Sequence, residues 1–320
     1  MSQLVSREEG GPTRRLPGPS RREVIEGLAA ELEAGGIEGA RGEAERMLSH
    51  ALGLSRTELL LHSDAGIGPD EAGRIAAISR RRLSGVPLQH IEGSVAFREL
   101  ELVCDGRALV PRPETEQLVQ RVADWTQRAE SAAGVRRVRR EDPDAEPAID
   151  IALDIGTGSG AIALSLVHEG IARRVVALDV SQDALEQAKC NATRAGLGHR
   201  VEFRKVQSSP WDGVGPGETF DLIVSNPPYV TDSEVRALPA EVREYDPREA
   251  LAAGPDGLDI IRLIAAEVHS HVRSGGALFL EIGESQGERV RQLLEDSASW
   301  KTVHVARDLA GRERFVVAQA

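Results

Sequence analysis

From Ile149 to the C-terminus, short apolar runs alternate with stretches of helical length, and this alternation constrains the fold more than any other feature of the 320-residue chain. Strands are expected near 150–155, 174–179, 201–206, 220–225, 276–282, 302–306 and 313–318. Helices are expected near 160–169, 181–196, 257–273 and 285–298. Strands separated by helices need crossover connections, so they form a parallel, doubly wound sheet that binds ligands at the strand C-termini. The last two strands are separated only by a few residues around Ala310-Gly311, too few for a crossover, so they should pair antiparallel.

The first part of the chain reads differently. Residues 1–19 mix charge, Gly and Pro without an apolar stretch and read as a flexible tail rather than a secretory signal. Residues 20–85 read as a small helical domain. It starts at Ser20, with Glu23 three residues on as in a capping box, and Val24, Ile25, Leu28 and Leu32 follow at helical spacing. Further helices are expected over about 41–52, after Ser55, and over about 70–83, punctuated by Gly35-Gly36, Gly53 and Gly85. No catalytic cluster occurs there, which fits a packing or partner-recognition module. Residues 86–110 carry Val95, Phe97, Leu100 and Leu102 around an Arg98-Glu99 turn, the pattern of a hairpin linking two domains. Residues 111–320 form the larger domain, interrupted over 128–148 by a charged stretch without apolar periodicity, read as a solvated insertion.

Composition sets limits. With 51 acidic and 39 basic residues, the formal charge is −12, which does not fit a protein that binds mainly by neutralising nucleic-acid phosphates. No membrane-spanning apolar run is present. Two cysteines cannot build a disulfide framework; a reduced, cytoplasmic protein with two buried thiols is the simple reading. The His residues are scattered, and no metal-ligand spacing occurs. Aromatics are only 3% of the chain, so each Trp and Tyr calls for a reason.

Three segments carry the chemistry. Gly156-Thr157-Gly158-Ser159-Gly160 follows an apolar strand and opens a helix. Its glycines permit tight turns and close approach to a ligand, and the helix start offers free amides. The spacing is Gly-x-Gly-x-Gly, and no Gly-Lys-Ser/Thr follows, which excludes a P-loop. Asp179 ends the next strand, where a carboxylate can accept from both hydroxyls of a ribose while Ser181 caps the following helix. Together these indicate an adenosine-type cofactor and leave NAD and S-adenosylmethionine open. Asn226-Pro227-Pro228-Tyr229 then follows the strand Phe220–Val224. The prolines remove N–H donors, which frees the carbonyls to face a crevice. Asn226 Oδ1 and the Pro227 carbonyl can accept both N–H bonds of a planar NH₂ group, with Tyr229 offering a flat face. That cradle favours methyl transfer to nitrogen, and so S-adenosylmethionine, with S-adenosylhomocysteine as the product.

Asp154–Gly160 and Ser225–Val230 resemble class I (Rossmann-like) S-adenosylmethionine-dependent amino-methyltransferases. Pro111–Glu116, Glu241–Leu258, Glu281-Ile282-Gly283 with Gln286, and Asp308–Gly311 narrow the resemblance to the peptide chain release factor glutamine methyltransferases, the HemK/PrmC type. It runs from about residue 20 to the C-terminus. It implies a methyltransferase sheet with an antiparallel last strand, a small N-terminal helical domain that recognises the substrate, and a linking hairpin. It implies transfer to the side-chain amide nitrogen (N5) of the glutamine in the Gly-Gly-Gln motif of class 1 release factors. It further implies that Gly156–Gly160, Asp179, Trp211 and Asn226 line the cofactor and that Asn226, Pro227, Pro228 and Tyr229 hold the glutamine, with Asn226, Pro227 and Tyr229 catalytic. Arg112 and Glu114 read as a structural ion pair. Pro210 stands where the family usually has an acidic residue before the tryptophan. A ribosomal-protein glutamine methyltransferase shares the tetrad but usually lacks the Arg-Pro-Glu-Thr-Glu run. A DNA or RNA adenine-N6 methyltransferase would also take a planar NH₂, but no extended basic region is present to hold a duplex around a flipped base. A non-catalytic cofactor-binding module is disfavoured by the intact tetrad. The expected partner is therefore a release factor, with neither nucleic acid nor membrane.

Overall fold

The computed structural model describes residues 18–132, 147 and 149–320. The expected tail up to residue 17, and the charged segment at 133–146 and 148, lie outside the described residues. The chain divides into two compact units between Glu92 and Gly93.

The first unit is helical: α1 (Arg21–Ala34), α2 (Ala40–Leu52), α3 (Arg56–Leu61), α4 (Pro69–Leu83) and α5 (Leu88–Glu92). Ser20 with Glu23 and Ser55 with Glu58 form reciprocal capping boxes, which satisfy the amides that open α1 and α3. Gly53 ends α2 in the left-handed region at φ 65°, where a side chain would be strained. Ile25, Leu28, Leu32, Met47, Leu48 and Leu59 bury together as the core. The short helix α5 departs from the sequence expectation. Leu88 and Ile91 are three apart and both buried, too brief a repeat to stand out against the hairpin that follows.

The second unit opens with the hairpin of β1 (Ser94–Phe97) and β2 (Leu100–Val103), with Arg98 at φ 52° in its two-residue turn. Residues from Gly93 onward are not a free connector but part of this unit. The first strands of the sheet and their helices come next: α6 (Pro113–Ala132), β3 (Ile149–Ile155), α7 (Ala161–His168), β4 (Ala172–Asp179), α8 (Gln182–Arg194), β5 (Val201–Lys205) and β6 (Phe220–Ser225). Arg98 reaches Glu169 just beyond α7 at 2.7 Å, and Gln187 and Asn191 of α8 bond both backbone groups of Val103. The hairpin is thus fastened to two helices. Helix α6 continues to Ala132, past the point where the charged insertion was expected to begin.

After β6 come two short helices, α9 (Asp232–Val235) and α10 (Ala240–Tyr245), then α11 (Asp259–His271), β7 (Val272–Glu281), α12 (Gly287–Ser297), β8 (Thr302–Arg307) and β9 (Glu313–Gln319). The sheet order is β5-β4-β3-β6-β7-β9-β8; β9 runs antiparallel to both of its neighbours, and the other pairings are parallel. Both faces are covered. Along β3, Ile151, Leu153 and Ile155 join one apolar cluster, while Ala152 joins the other. Such a two-sided burial explains the continuous apolar runs in the sequence. The chain turns outward in opposite directions from β3, to β4 on one side and β6 on the other, so a crevice is expected at their C-terminal ends.

The two thiols differ, contrary to the sequence expectation: Cys104 is buried and Cys190 exposed. On α8 the inward stripe is Ala184, Leu185, Gln187, Ala188, Asn191 and Ala192, and Cys190 lies off it.

Candidate active site

The crevice at the β3/β6 switch point is lined by Gly156, Thr157, Gly158, Ser159, Asp179 and Asn226, together with Thr115, Pro228 and apolar side chains that include Val206, Pro210 and Ile260. The glycine loop is fixed from within. Gly156 and Gly158 have φ of 72° and 55°, which only glycine adopts without strain. The amides of Gly156 and Thr157 both donate to Leu178 O at 2.9 Å. Asp154, fully buried under the loop, accepts from Thr157 Oγ1 at 2.7 Å and from Ala163 N at 3.1 Å. Burial pushes its carboxyl up to about 7, against the lowering effect of those two bonds. A Cβ on Gly156 would meet nothing within 4 Å, so the loop presents bare backbone to open space.

Asp179 faces the same crevice. Its Oδ2 accepts from Gly158 N at 2.8 Å and its Oδ1 from Ser181 N at 2.9 Å. Each carboxylate oxygen retains a second acceptor site. Burial raises its pKa, and the amides of Ser181 and Gly158 pull it back down. Ser181 caps α8 through Ala184 N, which leaves Asp179 clear of the capping role.

Two expected residues stand elsewhere. Gly160 caps α7 at φ 83°, and a Cβ there would come within 3.2 Å of Ala188 on α8, so its part is close helix packing. Trp211 does not join the crevice lining. Its indole is buried against α11, stacks on His271 at 4.7 Å, and donates to Leu263 O at 2.8 Å. Its neighbours Ser208 and Pro210 reach the crevice instead. Indole burial against a helix, with its N–H satisfied by a backbone carbonyl, is ordinary core behaviour for tryptophan.

The tetrad divides as well. Asn226 and Pro228 line the crevice, Pro227 is buried, and Tyr229 is partly buried. Asn226 Nδ2 donates to Thr115 Oγ1 at 2.9 Å, and Thr115 Oγ1 donates to Glu281 Oε2 at 2.8 Å. Tyr229 Oη donates to Glu281 Oε1 at 3.3 Å. Burial, with the Glu281 charge next, raises the Tyr229 pKa. Glu281 itself is 1% exposed, and burial pushes its carboxyl up to about 7. Gln286 clamps the tetrad backbone, donating to Tyr229 O at 3.0 Å and accepting from Gly283 N at 2.9 Å. Arg112 pairs with Asp246 at 2.6 Å, not with Glu114, and Asp246 also accepts from Val110 N. Thr115 and Glu281 were not singled out as site residues from the sequence. Glu281 ends the apolar run Ala277–Leu280, and both residues lie in segments that carry the family resemblance, Pro111–Glu116 and Glu281-Ile282-Gly283.

Comparison with known proteins agrees with this architecture. The PrmC N-terminal domain family matches residues 23–93, and a methyltransferase domain family matches residues 152–245. A release factor glutamine methyltransferase from Rhodopirellula baltica is 38% identical over 89% of this chain and 90% of its own length. Those from Deinococcus radiodurans and Moorella thermoacetica are 38% and 37% identical, each over 93% of this chain and 98% and 97% of their own. The chain belongs to the release factor glutamine methyltransferase family. It is accordingly a methyltransferase. Among solved structures, the hMettl16 catalytic domain in complex with a MAT2A 3′UTR hairpin shares the fold, with a TM-score of 0.51 and 15% identity over 78% of this chain and 80% of that one. Among the described residues, no helix is long and apolar enough to cross a membrane.

Proposed function

We propose that this chain is a cytoplasmic enzyme that methylates the side-chain amide nitrogen (N5) of the glutamine in the Gly-Gly-Gln motif of class 1 release factors, with S-adenosylmethionine as donor. The observation that carries the reading is the Asn226 carboxamide at the crevice. Its NH₂ end is occupied by Thr115, which leaves Oδ1 as an acceptor for an N–H of an incoming amide.

The crevice suits the donor. Asp179 offers acceptor capacity for ribose hydroxyls, bare loop backbone allows close approach, and Val206, Pro210 and Ile260 offer apolar surface for a flat ring. Asp154 Oδ1 has no hydrogen-bond partner among the described residues, so the loop keeps a buried acceptor in reserve. Bound there, S-adenosylmethionine supplies a methyl group on a positively charged sulfur.

The residues of the chain supply position and field. An amide nitrogen is a weak nucleophile because its lone pair is delocalised into the carbonyl. Asn226 Oδ1 and the Pro227 carbonyl hold its two N–H bonds, orient the lone pair, and stabilise the positive charge that grows on the nitrogen. Tyr229, tethered to Glu281, sets a flat wall beside them. The methylated nitrogen is strongly acidic and loses its proton to solvent, so no dedicated general base is needed. The helical N-terminal unit is the proposed recognition module for the release factor.

Radiolabelled S-adenosylmethionine offered with a release factor, with the same factor carrying Ala for the Gly-Gly-Gln glutamine, and with unmethylated DNA tests the reading. Label is expected in the first alone. Label in DNA but not in the release factor would overturn it.

A further inference from the structure

We infer that Glu281 is a positioning residue that acts through Thr115 to fix which way the Asn226 carboxamide faces. The inference rests on the glutamine-methylation reading of the cleft, and deepens it.

The case is one of hydrogen-bond direction. Asn and Gln amides look alike from either end, so a network must settle which end donates. Thr115 has a single hydroxyl proton. An ionised Glu281 can only accept, so that proton goes to Glu281 Oε2, at 2.8 Å. Thr115 Oγ1 must then accept from Asn226, at 2.9 Å, and the Asn226 NH₂ is committed to it. Oδ1 is left facing away from Thr115, as the acceptor that the substrate amide requires. Tyr229 Oη donates to the other oxygen of the same carboxylate, so one acid holds both ends of the tetrad. The three elements involved are far apart in sequence: Thr115 opens α6, Asn226 follows β6, and Glu281 ends β7.

A protonated Glu281 removes the constraint. Its own O–H can donate to Thr115, which frees the threonine proton to donate to a flipped Asn226 Oδ1. The amide then presents NH₂ to the cleft, where it repels the N–H bonds of the substrate. Glu281 titrates at about 7, with burial as the main cause. The groups that face it are Thr115 and Glu114 from α6, Tyr229 from the segment after β6, and Arg314 from β9. Arg314 favours the charged acid, and Glu114 opposes it. Arg314 is held by a bond to Ile282 O at 3.0 Å and lies 6.0 Å from the Tyr229 ring centre. Methyl transfer should therefore decline as pH falls below about 7, through kcat and not through donor binding.

Glu281→Gln keeps the shape but can donate, so it loses the one-way constraint. Thr115→Val removes the relay, and Thr115→Ser restores the hydroxyl. With release factor as acceptor, Glu281→Gln and Thr115→Val should each lower kcat by about 30-fold or more, on the scale of a lost preorganised bond. Affinity for S-adenosylmethionine should stay within about threefold of the parent. Thr115→Ser should recover most of the loss, and Glu281→Gln should lack the acid limb of the pH profile. Turnover within twofold of the parent in both Glu281→Gln and Thr115→Val would overturn the inference. A second readout needs no acceptor protein: the ¹⁵N side-chain resonance of Asn226, assigned by its loss in Asn226→Asp. It should shift with pH through about 7 in the parent and not in Glu281→Gln. An Asn226 resonance that ignores pH in the parent overturns the relay. Failure of the parent to methylate any release factor instead overturns the proposed function, and leaves this resonance to decide the relay.

Discussion

Two buried carboxylates stand at the two ends of the cleft, and they do the same job by different means. Asp154 sits under the glycine loop and takes a threonine hydroxyl from Thr157, three residues away, and an amide from Ala163, nine away. Glu281 sits behind the tetrad and takes a threonine hydroxyl from Thr115, 166 residues away, and a phenol from Tyr229, 52 away. Burial pushes both acids up to about 7. The first acid shapes a loop within its own strand–turn–helix unit. The second draws three separate elements into one site. Cofactor-type loops can thus be written locally, whereas a substrate cradle that orients one amide has to be assembled across the sheet.

The sharpest way to break the comparison is at Asn226. Asn226→Ala removes the proposed acceptor for the reacting amide but leaves the glycine loop intact. Turnover should fall by about 10²–10³-fold, as when a preorganised polar group at a reacting centre is lost. Binding of S-adenosylmethionine, measured by calorimetry, should weaken only slightly. Equal losses in both would mean that the two ends of the cleft are not separable.

This division also explains what was legible in the sequence. The glycine loop and Asp179 could be read because each depends on neighbours one turn or one strand–helix step away. The antiparallel final strand followed from a connection too short to cross over. The hairpin turn at Arg98-Glu99 was visible, but its attachment to Glu169, Gln187 and Asn191 was not, since nothing in the spacing pairs residue 103 with residue 191. Thr115 looked like part of a helix start, and only the fold brings its hydroxyl between Asn226 and Glu281. Trp211 misled for a physical reason. The resemblance, and the scarcity of aromatics, pointed it at the cofactor, yet α11 supplies both a stacking partner in His271 and an acceptor in Leu263 O.

Stability against pH distinguishes the two acids by a smaller effect. A buried acid whose pKa is raised on folding contributes stability below its unfolded value, near 4.5 for Glu281, and loses that contribution as pH rises through about 7. Glu281→Gln, which never ionises, should therefore gain on the parent over that interval by about 3 kcal/mol, or several degrees in Tm. Asp154→Asn should gain less. Its Oδ2 already serves both local donors, so the new NH₂ would fall where Oδ1 has no partner, and a buried unmet donor costs about 1–3 kcal/mol. Thermal melts of both variants between pH 5 and pH 8 read this directly, and equal gains would remove the difference between the two acids.

The smallest expected effect tests the glycine-loop end alone. Asp179 has two tasks: it accepts from Gly158 N and Ser181 N, and it faces the cleft with acceptor capacity to spare. Asp179→Ala loses both. A hydrogen bond to a charged acceptor contributes about 1.5–3 kcal/mol, so affinity for S-adenosylmethionine should fall by about 10- to 100-fold. Asp179→Asn separates the tasks. Its single oxygen can still accept from Gly158 N, and the charge is lost. If the asparagine variant behaves like the alanine one, the carboxylate acts on the ligand itself. If it keeps parent-like affinity, Asp179 acts by holding the loop, as Asp154 does. In either case, kcat at saturating donor should change by less than about threefold, because Asn226, Thr115 and Glu281 are untouched. A kcat loss as large as that of Asn226→Ala would show that the loop and the tetrad move as one body. The contrast between a locally written half and an assembled half would then be a matter of sequence distance, not of mechanism.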